Sequence, residues 1–344
     1  MSEAAKHFHR EAAVVDGCIF FADDTAGLKS AGVDAAIVTV SHFEADFEPA
    51  TDQVAGWLDR LRAPDSRWYH IRSGGDFAKA RAAGRTGLVM GWQNMRPIAD
   101  RLERIALFHA LGVRVMQLTY NRRNFLGDGC LERDNGGLSD FGRACVARMN
   151  ELGIAIDLSH VGERTSRDAA EASRMPVLVT HANARALVNV PRNKGDVVLD
   201  AVRASDGVVG ATVYGTMNWS GDPKRPPSLD DFLRQLDYLV DRMGPERIAI
   251  GTDFPSVADL EVIRPITEMT LSRFPGAIAD YVKAFGNDIR ARYVRETADH
   301  ASLWRITEAL QRRGWSDAQL RGLWGENWIR VLTRIWQGMP GPAH

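Results

Sequence analysis

The 344-residue chain has only three cysteines, Cys18, Cys130 and Cys145. No two of them form a CxxC pair. So sparse and odd a count excludes a disulfide-built scaffold and fits a reducing compartment. No apolar stretch is long enough to span a bilayer, so a membrane partner is not expected. Net charge is −1 and no Lys/Arg-rich block stands out, which argues against nucleic acid as a partner. The opening MSEAAKHFHREAAVVDG lacks an apolar core ahead of a small-residue cleavage site, so no secretory signal is expected and the cytoplasm is the expected location. Low-complexity segments are absent as well.

What is present is ordinary globular composition, 45% hydrophobic and 25% charged. Eight apolar, β-branched runs organise the first 254 residues: VVDGCIFF, AAIVTVS, GLVMGWQ, VRVMQLTY, IAIDLSH, VLVTHA, GVVGATVY and RIAIGTDF. Short runs of this kind read as strands buried on both faces of a parallel sheet. Helical apolar spacing lies between most of them, at roughly 50–63, 99–111, 138–152, 163–174 and 229–243. The third of these segments has Ser139 placed to cap its start and Gly153 its end. A short helix over residues 1–12 precedes the first run. The expected fold is α/β, a (β/α)8 TIM barrel over residues 13–254. Residues 255–344 are expected to add a helical C-terminal cover anchored by Trp304, Trp315, Trp324, Trp328 and Trp336, all within one domain. Two long connections, 121–137 and 215–228, are polar and read as substrate-facing loops.

In such a barrel the active site lies at the C-terminal strand ends, and polar side chains close most of the runs here. The ends fall near Phe20, His42, Gln93, Tyr120, His160, His181, Tyr214 and Asp253. His160 and His181 close the fifth and sixth runs and could share one metal ion, or each could be a hydrogen-bonded rim residue. Asp253 can bind metal or accept a proton from an attacking water, or it caps a following helix. Arg192, in NVPRNKGD, can grip a substrate carboxylate, or lie on the surface paired with Asp196 or Asp200. Tyr120 and Asn121 can orient a polar substrate or hold the loop that follows. Gln93 and Asn94 offer amides that hydrogen-bond well but ligate metals weakly. One absence stands out. The first run ends DGCIFF, where amide-hydrolysing metal barrels usually carry an H-x-H or H-x-D pair. Cys18 there can be a soft ligand or nucleophile, but a small buried thiol is the more ordinary reading.

The segments GVRVMQLTYNRRN, GLSDFGRACVARMNELGIAIDLSHVG, VLVTHANARAL, VPRNKGD and IGTDF resemble the membrane dipeptidase (renal dipeptidase) family of the amidohydrolase superfamily, and GENWIRVL resembles its closing Gly-Asn segment. The likeness covers about 13–337. It implies a dipeptide-hydrolysing scaffold with a two-zinc centre. His160 and His181 match the pair that holds one metal, Arg192 the substrate-carboxylate arginine and Asp253 the general base. The remaining positions depart from the pattern. Cys18 and Phe20 stand at the first-strand His and Asp, Gln93 at the bridging Glu, and Tyr120 at a substrate-contacting His. Two hard or borderline ligands and the charge that balances two dications are therefore missing. The expectation is at most one zinc, on His160 and His181 with Gln93 or Asp253 as third contact. The expected substrate is a small carboxylate-bearing amide or dipeptide-like molecule, and the only macromolecular partner in view is a second copy in a homodimer. A lyase or decarboxylase without a full metal centre, and a binding protein without turnover, are the rival readings.

Overall fold

The computed structural model describes residues 2–338. Its strands are β1 (Val15–Ala22), β2 (Ala35–Thr39), β3 (Trp68–His70), β4 (Thr86–Trp92), β5 (Val113–Gln117), β6 (Ala155–Asp157), β7 (Val177–Val179), β8 (Val208–Ala211), β9 (Ile248–Ile250) and β10 (Phe254–Ser256). They form one ten-stranded sheet in the order β10-β1-β2-β4-β5-β6-β7-β8-β9, with β3 attached beside β4. Every ladder among the described strands is parallel. β9 and β10 are two pieces of the eighth run, so the path returns to where it began and the expected barrel is formed.

The eighth run breaks for a steric reason. A Cβ on Gly251 would collide with the Thr180 carbonyl, so the backbone can pass there only as glycine. Two residues later Asp253 takes φ 57°, a left-handed conformation. β9 thereby stays on β8 while β10 crosses to β1, and the Asp253 amide donates to the Cys18 carbonyl at 3.0 Å. β3 was not expected. Its three residues, Trp-Tyr-His, are too few to show a period.

The barrel is filled from below by the C-terminal helix Asn327–Trp336. Its Trp328, Val331, Leu332 and Ile335 lie on one helical face and join Val15, Ala35, Val115, Ala155, Leu178, Val208 and Ala249 in a single apolar cluster. The Trp328 indole nitrogen donates to the Ile250 carbonyl at 3.0 Å, and Asn327 donates to the Ile248 carbonyl at 2.8 Å. Gly17 is required beside the indole, since a Cβ there would sit 2.6 Å from Trp328 Cζ2. Gly325, Asn327 and Trp328 of the GENW segment are thus a plug for the N-terminal mouth. The helices Arg264–Arg273 and Pro275–Phe285 roof the opposite mouth, where Phe274 packs on Phe43 and Tyr120. The helical C-terminal segment therefore packs at both ends of the barrel. Trp324 and Trp328 are its buried anchors, whereas Trp304, Trp315 and Trp336 stay partly exposed.

The expected helices form close to their predicted spans. Asp140–Leu152 is capped by Ser139, whose Oγ accepts from Gly142 N at 2.9 Å, and ends at Gly153 with φ 68°. Among the described residues no helix is long and apolar enough to cross a membrane. Truncating the plug tests this account of the core. Trp328→Ala should cost about 3–5 kcal/mol of unfolding free energy, read from the urea midpoint. Trp336→Ala, at a partly exposed position, should cost clearly less.

Candidate functional site

Two buried carboxylates lie just beneath the rim. Asp157, at the end of β6, accepts from Ser159 N at 3.0 Å, Ser159 Oγ at 2.6 Å, Thr180 N at 2.9 Å and Thr180 Oγ1 at 2.7 Å. It ties the ends of β6 and β7 together directly below His160 and His181. Asp16, in β1, accepts from Cys18 N at 3.1 Å, Thr252 N at 2.9 Å, Thr252 Oγ1 at 2.6 Å and His300 Nε2 at 2.9 Å. It ties β1 to the end of β9 directly below Cys18 and Asp253. Burial raises the Asp157 carboxyl's pKa above its ordinary value, against the pull of its four donors.

The histidines meet as the sequence suggested, with His160 Nε2 3.0 Å from His181 Nε2. Their tautomers follow from the donors around them. The Thr180 hydroxyl gives its proton to Asp157, so it accepts from His181 Nδ1 at 2.8 Å. Asn121 Oδ1 accepts from His160 Nδ1 at 2.8 Å and from the Cys130 thiol at 3.3 Å. Both Nε2 atoms are then bare lone pairs facing each other. Burial, and next the Arg192 charge, hold both rings well below the ordinary imidazole range, so neither carries a second proton. Two facing lone pairs repel unless a cation lies between or beside them. This donor set therefore fits a metal ion.

Across the rim, Cys18 is buried and its thiol points to Asp253 Oδ1 at 3.6 Å. Gln93 Nε2 lies 3.5 Å from the same sulfur and donates to Thr39 Oγ1 at 3.0 Å. Ligand atoms of Cys18, His181 and Asp253 all lie within 4.8 Å of one another. Asp253 is no helix cap. It sits in the gap between β9 and β10 with part of its surface open to a cavity, yet the crowding around it pushes its carboxyl up to about 7 against the opposing Arg192 charge. Burial and three nearby carboxylates push the Cys18 thiol well up, so as a free side chain it is a poor nucleophile.

The cavity above has a volume of about 420 Å³ and mostly apolar walls, among them Phe20, Phe21, Phe43 and Trp57. Tyr120, Gln93 and Asp253 also face it. The histidines do not, because the Tyr120 ring lies over His160 with centroids 4.0 Å apart. Asn121, at φ 57°, serves His160 and not the cavity. Arg192 is buried, so the surface reading fails; Asp196 and Asp200 pair instead with Arg242, at 3.0 and 2.6 Å. Its guanidinium donates to the Ser159 and His181 carbonyls behind the histidines, outside the cavity wall.

Two charged groups escaped the sequence reading. Arg292, 3% exposed, faces the cavity and donates to the Thr267 carbonyl at 2.8 Å, to Asn287 Oδ1 and to the Tyr214 hydroxyl at 3.5 Å. Lys194 is buried with Nζ on the Val161 carbonyl at 2.9 Å, and burial brings it down to about 7. Among the described residues Arg192, Arg292 and Lys194 have no carboxylate at ion-pair distance. Lys194 stands in the NKGD segment, where its charge could be noted but not its burial. Arg292 lies in an irregular turn far from any run, and no sequence signal marks it.

The membrane dipeptidase (peptidase family M19) profile matches residues 28–270. An uncharacterized protein in the pqqA 5′ region of Klebsiella pneumoniae is 31% identical over 238 residues, which cover 67% of this chain and 75% of that one. Dipeptidase verJ of Clonostachys rogersoniana is 28% identical over 255 residues, covering 74% of this chain, and the chain spans only 56% of that protein's length. An amidohydrolase from Pseudomonas aeruginosa shares the fold with a TM-score of 0.83 at 29% identity, over 97% of this chain and 99% of that one. The profile match alone extends over more than half of the chain, and the chain belongs to the membrane dipeptidase family.

Proposed function

We propose that the chain hydrolyses a small, carboxylate-bearing, dipeptide-like amide at a centre built for one metal ion, with zinc as the natural occupant. The observation that carries this reading is the pair of bare Nε2 lone pairs 3.0 Å apart, with both Nδ1 protons already committed. A zinc ion held by His181 and its neighbours at this centre would supply Lewis acidity for the amide carbonyl and for water. The rest falls to the chain's own side chains. Asp253 opens to the cavity, and burial brings its carboxyl to about 7, so near neutrality its carboxylate form can take a proton from the attacking water and return it to the leaving amine. The water oxygen bonds to the carbonyl carbon, the C–N bond breaks, and a carboxylate and an amine leave. Tyr120 and Phe43, stacked at 4.0 Å, bound the substrate on one side. Gln93 adds an amide where the wider family carries a bridging carboxylate, so a second dication would lack its counter-charge.

Carboxylate recognition falls to Arg292, a buried positive charge in the cavity wall with no carboxylate at ion-pair distance among the described residues, while Arg192 adds only its longer-range charge from behind the histidines. The apolar walls favour a substrate with a hydrophobic side chain. The lyase or decarboxylase reading has one observation in its favour, the proton held on Asp253 near pH 7. It leaves the facing histidine lone pairs unexplained. A binding protein without turnover would retain affinity but release no amine from a dipeptide panel.

Three outcomes are expected. Elemental analysis of the purified protein should find about one zinc per chain; two at full occupancy would overturn the single-ion reading, and none after zinc loading would favour the metal-free alternatives. Arg292→Ala should raise KM for dipeptides by about tenfold to a hundredfold, the range set by one charged hydrogen-bonded contact, and should leave the corresponding dipeptide amides less affected. An equal effect on both would remove Arg292 from carboxylate recognition. Asp253→Asn should abolish turnover yet stabilise the metal-free fold. The sign follows from the raised carboxyl. The wild-type fold keeps its full stability below the unfolded value near 3.8 and loses it as pH rises towards about 7, so the gain in melting temperature should grow across that window. A gain that does not change with pH would show that Asp253 is not held protonated.

A further inference from the structure

We propose that Cys18 is a metal ligand and that the ion sits on a mixed sulfur, nitrogen and oxygen set of Cys18, His181 and Asp253, beside His160. The proposal rests on the metallohydrolase reading above and fixes where its ion lies. The sulfur stands 3.6 Å from Asp253 Oδ1. Tetrahedral zinc, with bonds of about 2.3 Å to sulfur and 2.0 Å to oxygen, places two such donors about 3.5 Å apart. The third donor, on His181, lies within 4.8 Å of both. Three protein donors with one position left open is the usual form of a catalytic zinc site.

Access supports the same placement. An ion held by His160 and His181 alone would be screened from the cavity by the Tyr120 ring. Asp253 is the only member of the donor cluster in the cavity wall, so an ion reaching substrate must lie on the Asp253 side of His181. The surroundings of the thiol also differ from those of a packing cysteine. Cys145 is equally buried but sits among apolar side chains of the outer core, without a polar partner among the described residues. Cys18 has a carboxylate on one side and the Gln93 amide N–H on the other, and that N–H is a suitable donor to a thiolate. Asp16 locks the backbone on both sides, through Cys18 N and Thr252 N, so the donors are held before any ion arrives.

Charge balance agrees. With neutral histidines, a Cys18 thiolate and an Asp253 carboxylate together offset one dication and no more. Binding displaces the thiol proton to solvent. The softer set favours zinc, cobalt or cadmium over manganese or magnesium.

Cobalt(II) loading of the full-length protein tests the proposal without relying on activity. A sulfur-to-cobalt charge-transfer band should appear in the near ultraviolet along with the visible bands of bound cobalt. Cys18→Ser should abolish the charge-transfer band and weaken zinc binding by more than about tenfold, since even outer-shell losses cost that much. Cys130→Ser and Cys145→Ser should leave the band intact. Bound cobalt with visible bands but no charge transfer, or a band that survives Cys18→Ser, would overturn the thiolate ligand while leaving a histidine-held ion in place. Failure of the folded wild-type protein to bind cobalt or zinc at all would overturn this proposal and the metallohydrolase reading together.

Discussion

The site depends on two carboxylates that never face the cavity. Asp16 and Asp157 each join the ends of two strands, and each does so through backbone amides and hydroxyls together. An unpaired buried carboxylate would be costly, and four donors apiece make these two tolerable. Their effect is geometric. Cys18 and Asp253 are held as one pair, His160 and His181 as another. The tautomer of His181 descends from Asp157 through the Thr180 hydroxyl, so the bare lone pair that invites a cation is set from below.

The barrel and the site are coupled through backbone positions that allow no side chain. Gly251 passes the Thr180 carbonyl, and that close passage lets the eighth run break and turn Asp253 toward the cavity. Gly17 makes room for the Trp328 indole one residue before Cys18. Packing demands at the bottom and in the middle of the barrel thus shape the same strand ends that carry the chemistry.

Much of this was legible in the sequence. The eight runs, the helices between them and the histidines at consecutive strand ends follow from period and order, which are local signals. Burial was harder to see. For Arg192 the sequence leaves a carboxylate-gripping and a surface reading open, because Asp196 and Asp200 lie near it, but Arg242, distant in sequence, takes both acids. Asp253 reads as a metal ligand, proton acceptor or helix cap, and only the break in its strand removes the last of these. Arg292 carries no motif, since what matters is that it faces one cavity and has no acidic partner among the described residues. Cys18 reads as a packing thiol because its neighbours, Asp253 and Gln93, are 235 and 75 residues away. The three-residue β3 is too short for any pattern.

The indole at the base of the barrel has a consequence for the order in which the chain becomes a protein. Trp328 follows the last strand residue, Ser256, by a long helical segment, yet it completes the apolar layer begun at Val15. During synthesis every strand leaves the ribosome before the residue that fills the space between them. Until then the nascent barrel has an unfilled end lined with Val, Ala and Leu side chains, a surface that chaperones and other nascent chains can bind. Closing it requires contacts between the two extremes of the sequence, the kind that form slowly. The helix Asn327–Trp336 is therefore the piece whose docking closes the barrel's apolar interior, which the strands alone leave open at one end.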